Sequence, residues 1–230
     1  MIRDDGYDAH SIWEHSAHIR RLYARRCRRE EPEMVCAAQA ADLLAPLLRP
    51  GDTVLDAGCG TGHFFHSLSK RGLPAEYWGI DAAASLIEIG RRELPRFGLP
   101  AERLRPIRIE DLDGEVDHVV CMNVLSNVDN IHRPLERLAM TARRSIVLRE
   151  SLGERAHYSY VRDEYLDPGV SLRVHVNTYA VDDVRALLGE LGFSSTVVVD
   201  ERTGGQPENV IDHEHRWTFL VARKETDDNA

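Results

Sequence analysis

The chain predicts an α/β fold built on a mostly parallel sheet that ends in one antiparallel hairpin. Three observations carry this. Between residues 53 and 149, short β-rich runs alternate with segments whose apolar residues recur at helical spacing, the pattern of parallel strands joined by crossover helices. The first strand breaks into glycines at every second position, Gly58, Gly60 and Gly62, where backbone must turn and approach a ligand without a Cβ in the way. The last two strands are separated only by residues near 201–215, too few for a crossover helix with its connections, so they pair antiparallel.

Taken in order, residues 7–48 read as helical. Ile19, Leu22 and Tyr23 recur on one face, and a second run carries Met34, Val35, Ala38, Ala41, Leu44 and Leu47 before Pro50-Gly51 ends it. Thr53 to Asp56 is a buried strand, and Phe64, Phe65 and Leu68 mark a helix closed by Gly72. Tyr77 to Asp81 is the next strand, followed by a helical stripe of Leu86, Ile87, Gly90 and Leu94. Leu104 to Ile109 and Asp117 to Met122 are strands, Leu135, Leu138 and Ala139 a helix, and Ser145 to Arg149 a fifth strand. After a long connection over 150–180, Val184, Leu187, Leu188 and Leu191 form a last helix stopped by Gly192. Ser195 to Val199 and Arg216 to Arg223 make the closing hairpin. The final ETDDNA, residues 225–230, is expected to fray.

Composition narrows the classes. With 230 residues and 43% hydrophobic content, the chain can bury a sizeable core. A net charge of −9 argues against a nucleic-acid partner, because phosphate binding rests on lysine and arginine. Cys27, Cys36, Cys59 and Cys121 show neither C-x-x-C pairing nor zinc spacing, so reduced thiols are expected. The N-terminus lacks a signal-peptide core and no stretch approaches 18 apolar residues. The expected location is cytoplasmic, with no membrane partner.

The run VLDAGCGTGHF, residues 54–64, separates two kinds of nucleotide site. A dinucleotide fingerprint is spaced G-x-G-x-x-G, so that the pyrophosphate meets a helix N-terminus. Here the spacing is G-x-G-x-G, with Asp56 two residues upstream. A carboxylate there repels pyrophosphate and suits a cationic ligand carrying sulfonium and ammonium groups. Asp81, ending the second strand with Ala82 behind it, is placed to accept two ribose hydroxyls.

On these residues the chain resembles the class I S-adenosylmethionine-dependent methyltransferases, over roughly residues 50–223. The resemblance implies a Rossmann-like, doubly wound sheet of seven strands in the order 3-2-1-4-5-7-6, with S-adenosylmethionine as cofactor. It assigns Asp56, Gly58, Cys59, Gly60, Thr61 and Gly62 to the cofactor loop, and Asp81 and Ala82 to the ribose. It also implies an acidic residue after the third strand facing the adenine amino group; Glu110 and Asp111 are both candidates. The segment CMNVLSNV, beginning at Cys121, resembles the fourth-strand motif of small-molecule methyltransferases near the ubiquinone-biosynthesis O-methylating branch, and puts Asn123 beside the cofactor. That branch carries glutamates and a histidine where this chain has Asn123, Ser126 and Asn127, so no metal is expected.

The expected function is therefore methyl transfer to a small-molecule acceptor, most naturally at a hydroxyl oxygen. N- or C-methylation, a nicotinamide-dependent oxidoreductase and a noncatalytic cofactor-binding protein are the alternatives. Residues 1–49 are expected to form a helical lid on a domain over 50–224, and 150–180 a substrate-covering insertion, too aromatic for a disordered linker. Within the arginine run of residues 20–29, Arg25 and Arg29 lie one helical turn apart, with Arg25 placed to meet the cofactor's carboxylate or an anionic acceptor. A solvated helix face is the plainer reading of that run. His157 and His175 are the candidate general bases, with Glu150 behind them. His213 and His215 would face the same way on a strand, a spacing that binds metal given a third ligand, but with nothing nearby to complete a site they read as polar loop residues before the last strand.

Overall fold

The structure is a computed structural model and describes residues 11–225. The expected helical start over residues 7–10 and the tail from residue 226 lie outside the described residues.

A short 3-10 turn, Ile12–His15, leads into α1, Ala17–Cys27, where Ser16 caps the helix by accepting from the Ile19 amide at 3.3 Å. α2 spans Val35–Leu44. The sheet then begins with β1 (Thr53–Ala57), α3 (Phe65–Lys70), β2 (Glu76–Asp81), α4 (Ala84–Glu93), β3 (Leu104–Pro106), β4 (Val116–Met122), α5 (His132–Thr141) and β5 (Ala142–Gly153). Residues 150–180 supply a small antiparallel arm, β6 (Tyr160–Arg162) and β7 (Arg173–His175), then β8 (Tyr179–Ala180). The chain finishes with α6 (Val181–Glu190), β9 (Phe193–Val199), a hairpin of β10 (Glu208–Val210) and β11 (His213–His215), and β12 (Trp217–Lys224).

The main sheet runs β3-β2-β1-β4-β5-β12-β9, with β8 added against the end of β5. With β9 and β12 counted as the sixth and seventh strands, this is the expected order 3-2-1-4-5-7-6. Neighbours from β3 to β5 are parallel, and β12 is antiparallel to both β5 and β9. Helices cover both faces. On one, Leu135 and Leu138 of α5 and Val184 and Leu188 of α6 pack on Leu55, Val119 and Ile146. On the other, Ala40 and Leu44 of α2 and Ile87 of α4 pack on Val54, Val120 and Val147. A fully enclosed side chain such as Leu44 contributes on the order of 1.5–3 kcal/mol.

Four elements differ from the sequence reading. β3 stops at Pro106, and the chain turns into a 3-10 segment, Ile109–Asp111, because proline cannot extend the ladder as a donor. β5 runs on to Gly153, since Trp217 and Thr218 pair opposite Ser151 and Glu150 and β8 pairs with Leu152. The loop over 201–215 contains its own hairpin. α1 ends at Cys27 and Arg29 takes φ 59°, so Arg25 and Arg29 do not share a helical face.

A third apolar cluster lies apart from the sheet. It joins Ile12, Val174 and Val176 to Trp13, Val161 and Ile211, and so ties the N-terminal segment to the β6–β7 arm and the β10–β11 hairpin.

Candidate cofactor and acceptor site

After β1 the chain turns through Gly58 at φ 76° and Gly60 at φ 57°, conformations that side-chain-bearing residues avoid. Space is equally restrictive. A Cβ on Gly58 would lie 2.2 Å from Val124 Cγ2, and one on Gly60 would lie 2.6 Å from Tyr23 Cε1. The turn is thus a seat for Val124, from the end of β4, and for Tyr23, from α1. It is fastened to β2: the amides of Gly58 and Cys59 both donate to the Ile80 carbonyl at 2.8 Å, and the Gly60 amide donates to Asp81 Oδ2 at 2.7 Å. Asp81 Oδ1 accepts from the Ala83 amide at 2.8 Å. Burial raises the Asp81 pKa above the ordinary carboxylate value, with the two amide donors pulling it back. A carboxylate has about four acceptor positions, so two remain after these bonds.

A cavity of about 850 Å³ opens at these strand ends. Gly58, Gly60, Asp81, Ala82, Glu110 and Asn123 form one part of its wall. Ile12, Trp13, Tyr165, Val176 and His175, from segments outside the main sheet, form another, together with Trp217 at the start of β12. These covering segments are stapled to each other: Ser16 Oγ donates to the Tyr165 carbonyl at 2.6 Å, the Ala17 amide to Asp167 Oδ1 at 2.7 Å, and Arg20 pairs with Asp167 at 3.2 Å.

The other residues expected at the site lie elsewhere. Asp56 is 3% exposed and sits beneath the glycine turn, accepting the Tyr77 hydroxyl at 2.7 Å. Burial pushes its pKa up to about 7, and its carboxylate is turned to Tyr77 and off the cavity wall, where the sequence reading aimed it at a cationic ligand. Cys59 and Thr61 are enclosed, and Gly62 is needed for packing, because a Cβ there would meet Leu104 at 2.7 Å. Between the two acids after β3, Glu110 is on the wall while Asp111 is exposed outside it. Arg25 points to solvent and pairs with Glu31 at 2.6 Å; its neighbour Arg26 reaches the wall, its guanidinium over the Tyr23 ring at 5.0 Å.

The three catalytic candidates separate. His175 is on the wall, its ring 4.5 Å from that of Tyr160. His157 is exposed, bonded to Ser159 Oγ at 3.0 Å and off the wall. Glu150 is fully buried and off the wall: it accepts from the amides of Val124, Leu125 and Ser126 and from the Ser126 hydroxyl. It therefore shapes the turn after β4 and has no route to an acceptor.

His215, read from the sequence as a loop residue, lies in a strand instead. It is 2% exposed, ends β11, lines the cavity, and stacks on Trp217 with ring centroids 4.8 Å apart and planes 13° apart. Both ring nitrogens are buried without a hydrogen-bond partner among the described residues. Burial lowers its pKa to about 4, with His213 nearby adding to the effect. The one signal available was the alternation His213, His215, Trp217, which places all three on one face of extended chain.

A sheet of this order, with a glycine turn after β1 and an acid at the end of β2, defines the class I S-adenosylmethionine-dependent methyltransferase fold. Residues 55–144 match the family model described as a methyltransferase domain. It is 31% identical over 156 residues to magnesium protoporphyrin IX methyltransferase of Arabidopsis thaliana, covering 62% of this chain and 46% of the relative. It is 36% identical over 115 residues to a ubiquinone biosynthesis O-methyltransferase of Methylocella silvestris, covering 49% of this chain and 41% of the relative. The chain thus spans less than half the length of these curated relatives. Among solved structures, an S-adenosylmethionine-dependent methyltransferase from Clostridium acetobutylicum superposes with TM-score 0.61 at 14% identity, covering 89% of this chain and 97% of that one. Magnesium protoporphyrin IX methyltransferase from Synechocystis PCC 6803 with bound S-adenosylmethionine superposes at 0.57 and 19% identity, covering 89% and 90%. At such identities the likeness is one of fold.

Proposed function

We propose that the chain transfers the methyl group of S-adenosylmethionine to a hydroxyl oxygen of a small-molecule acceptor. The observation that carries this reading is one continuous cavity that joins the glycine turn and Asp81 to an aromatic and apolar wall supplied by the covering segments and by Trp217 of β12. The residues fit the cofactor. Asp81 has acceptor capacity left for two ribose hydroxyls, Glu110, beside Arg108 at 3.6 Å, is an acid for the adenine amino group, and Arg26 is a cation on the wall for a carboxylate. When bound, the cofactor supplies a methyl group already activated by its sulfonium.

The protein's own contribution is alignment and exclusion of water. Val124 and Tyr23 seat on Gly58 and Gly60, so the turn and its neighbours are fixed before any ligand arrives. Fixed alignment of this kind can supply about 7–11 kcal/mol of the barrier. Residues 11–49 and 150–180 act together as the covering elements on a body formed by residues 50–224, and the Ser16 and Asp167 staples hold them over the cavity. An oxygen acceptor is supported by the O-methyltransferase relative and by the imidazole of His215 on the wall, kept neutral by burial, which suits a hydroxyl proton.

Calorimetry tests the cofactor half. S-adenosylhomocysteine should bind and NAD should not, and Asp81→Asn should weaken the former at least tenfold. Binding of NAD alone would return the chain to the oxidoreductases. Incubation with methyl-labelled cofactor and a metabolite extract, read by mass spectrometry, tests turnover; cofactor binding with no labelled product would leave a noncatalytic binding protein.

A further inference from the structure

We infer that His215 is the acceptor-binding residue of this site, that it takes the acceptor's hydroxyl proton, and that the acceptor is an uncharged aromatic molecule of the phenol class. This rests on the methyl-transfer reading above.

The first support is an unmet valence. A buried imidazole with neither nitrogen bonded is a costly arrangement, and native proteins seldom retain one without a purpose. His215 is in that state, 2% exposed, on the wall of the cavity that also holds Asp81. Neutral imidazole offers one donor and one acceptor, which is the complement of a hydroxyl group. The ring is held in place from behind: it stacks on Trp217, whose own Nε1 donates to Glu208 at 2.7 Å, and Arg149 lies over the Trp217 ring at 4.7 Å. Its orientation is thus fixed by three residues, none of which takes either ring nitrogen.

The second support is the backbone that presents it. The hairpin of β10 and β11 turns through Ile211 at φ 49° and Asp212 at φ 57°. A β-branched residue in this region is strained, and strain of this kind collects at functional sites. Here it places Ile211 on the cavity wall and in the apolar cluster with Ile12, Trp13 and Val176.

The wall around His215 selects the acceptor. Trp13, Val174, Val176, Ile211 and Trp217 give it flat and apolar surface. Asp163, the acid of the covering arm on this wall, is bonded to the Tyr165 amide at 2.7 Å, and Arg149, off the wall, to Asp200 at 2.7 Å with its Nη2 unpartnered among the described residues. The other charged groups of the wall, Arg26, Asp81, Arg108, Glu110 and Asp129, belong to segments other than the hairpin that carries His215, and an aromatic ring bearing a hydroxyl satisfies both the apolar surface and the imidazole. In the transfer, the acceptor oxygen forms its bond to the methyl carbon as the methyl–sulfur bond breaks, the bonding pair stays on sulfur, and the hydroxyl proton moves to the free nitrogen of His215 and thence to water. Burial keeps that nitrogen unprotonated at neutral pH. It is a weak base, but an oxygen gaining a methyl group loses its hold on its proton, so a weak base suffices.

The test uses the full chain saturated with S-adenosylhomocysteine, and calorimetry with 2-naphthol and with 2-naphthoate, which carries a carboxylate in place of the hydroxyl. Naphthol should bind at least fivefold more tightly than naphthoate, and His215→Phe, which keeps the stack on Trp217, should weaken naphthol at least fivefold. Smaller differences in either comparison overturn the proposal. A second readout needs no variant: ¹⁵N resonances of the His215 ring in the wild-type protein should shift on addition of naphthol, and unchanged resonances overturn it. Failure of S-adenosylhomocysteine itself to bind would strike the methyltransferase reading, whereas its binding without a naphthol response strikes only the assignment of His215.

Discussion

Replacing Glu150 by glutamine distinguishes a positioning carboxylate from a reacting one. In the structure Oε1 accepts from the amides of Val124 at 2.8 Å and Leu125 at 2.9 Å, while Oε2 accepts from the Ser126 amide at 2.9 Å and hydroxyl at 2.8 Å. Glutamine can keep one pair of these. Its amide nitrogen then faces the Ser126 N–H, leaving one buried donor unpaired at about 1–3 kcal/mol, and the two retained bonds lose their charge at roughly 1 kcal/mol each. The sum is a destabilisation of about 3–5 kcal/mol. Glu150→Ala strands three amides, at about 3–9 kcal/mol, a large part of the 5–15 kcal/mol that holds a typical domain together. Urea denaturation followed by circular dichroism measures both, and S-adenosylhomocysteine affinity should fall with them, because the turn carrying Val124 seats on Gly58. If Glu150→Gln melts within about 0.5 kcal/mol of wild type while turnover disappears, the carboxylate reacts with substrate and the positioning account is wrong.

Three further outcomes are expected. Asp56, ordinarily near 3.8 and raised by burial to about 7, binds its proton more tightly when folded, so its contribution to stability is complete below pH 3.8 and is lost as pH rises to 7; at 1.36 kcal/mol per pH unit this is about 4 kcal/mol, and melts across that range should flatten in Asp56→Asn. Gly60→Ala should cost about 1–3 kcal/mol of stability and displace Tyr23, read by urea melts and by weakened S-adenosylhomocysteine binding, with an unchanged midpoint arguing that the turn tolerates a Cβ. Chelation should leave turnover intact, since Asn123, Ser126 and Asn127 are engaged with Arg149, Glu150 and the His175 carbonyl; activity lost on chelation and restored by magnesium or zinc would refute this.

The sheet order was legible because its signals are periodic and local: alternation of strand and helix, glycines at a fixed spacing, a loop too short to cross over. The site was legible where backbone conformation fixes residue type, as at Gly58, Gly60 and Asp81. It was not where direction decides. Arg25 and Arg26 are adjacent and chemically identical, and only the phase of α1 against Tyr23 sends one to solvent and the other to the cavity. Asp56 and Asp81 both end strands, yet Asp56 turns into the sheet toward Tyr77. His215 was hidden because its hairpin turns at Ile211-Asp212, a dipeptide with none of the glycine or asparagine that announces positive φ. Glu150 lost its expected role because its four donors come from residues some 25 positions upstream, a pairing set by β4–β5 adjacency.

The staples between the N-terminal segment and the 165–167 turn also bear on traffic. Because Ser16, Ala17 and Arg20 are bonded to Tyr165 and Asp167, neither covering segment can lift without breaking bonds to the other. In the proposed reaction a ligand that enters past these segments meets them as one unit, so product-inhibition patterns should be those of an ordered sequential reaction, and Asp167→Ala should speed release while relaxing that order.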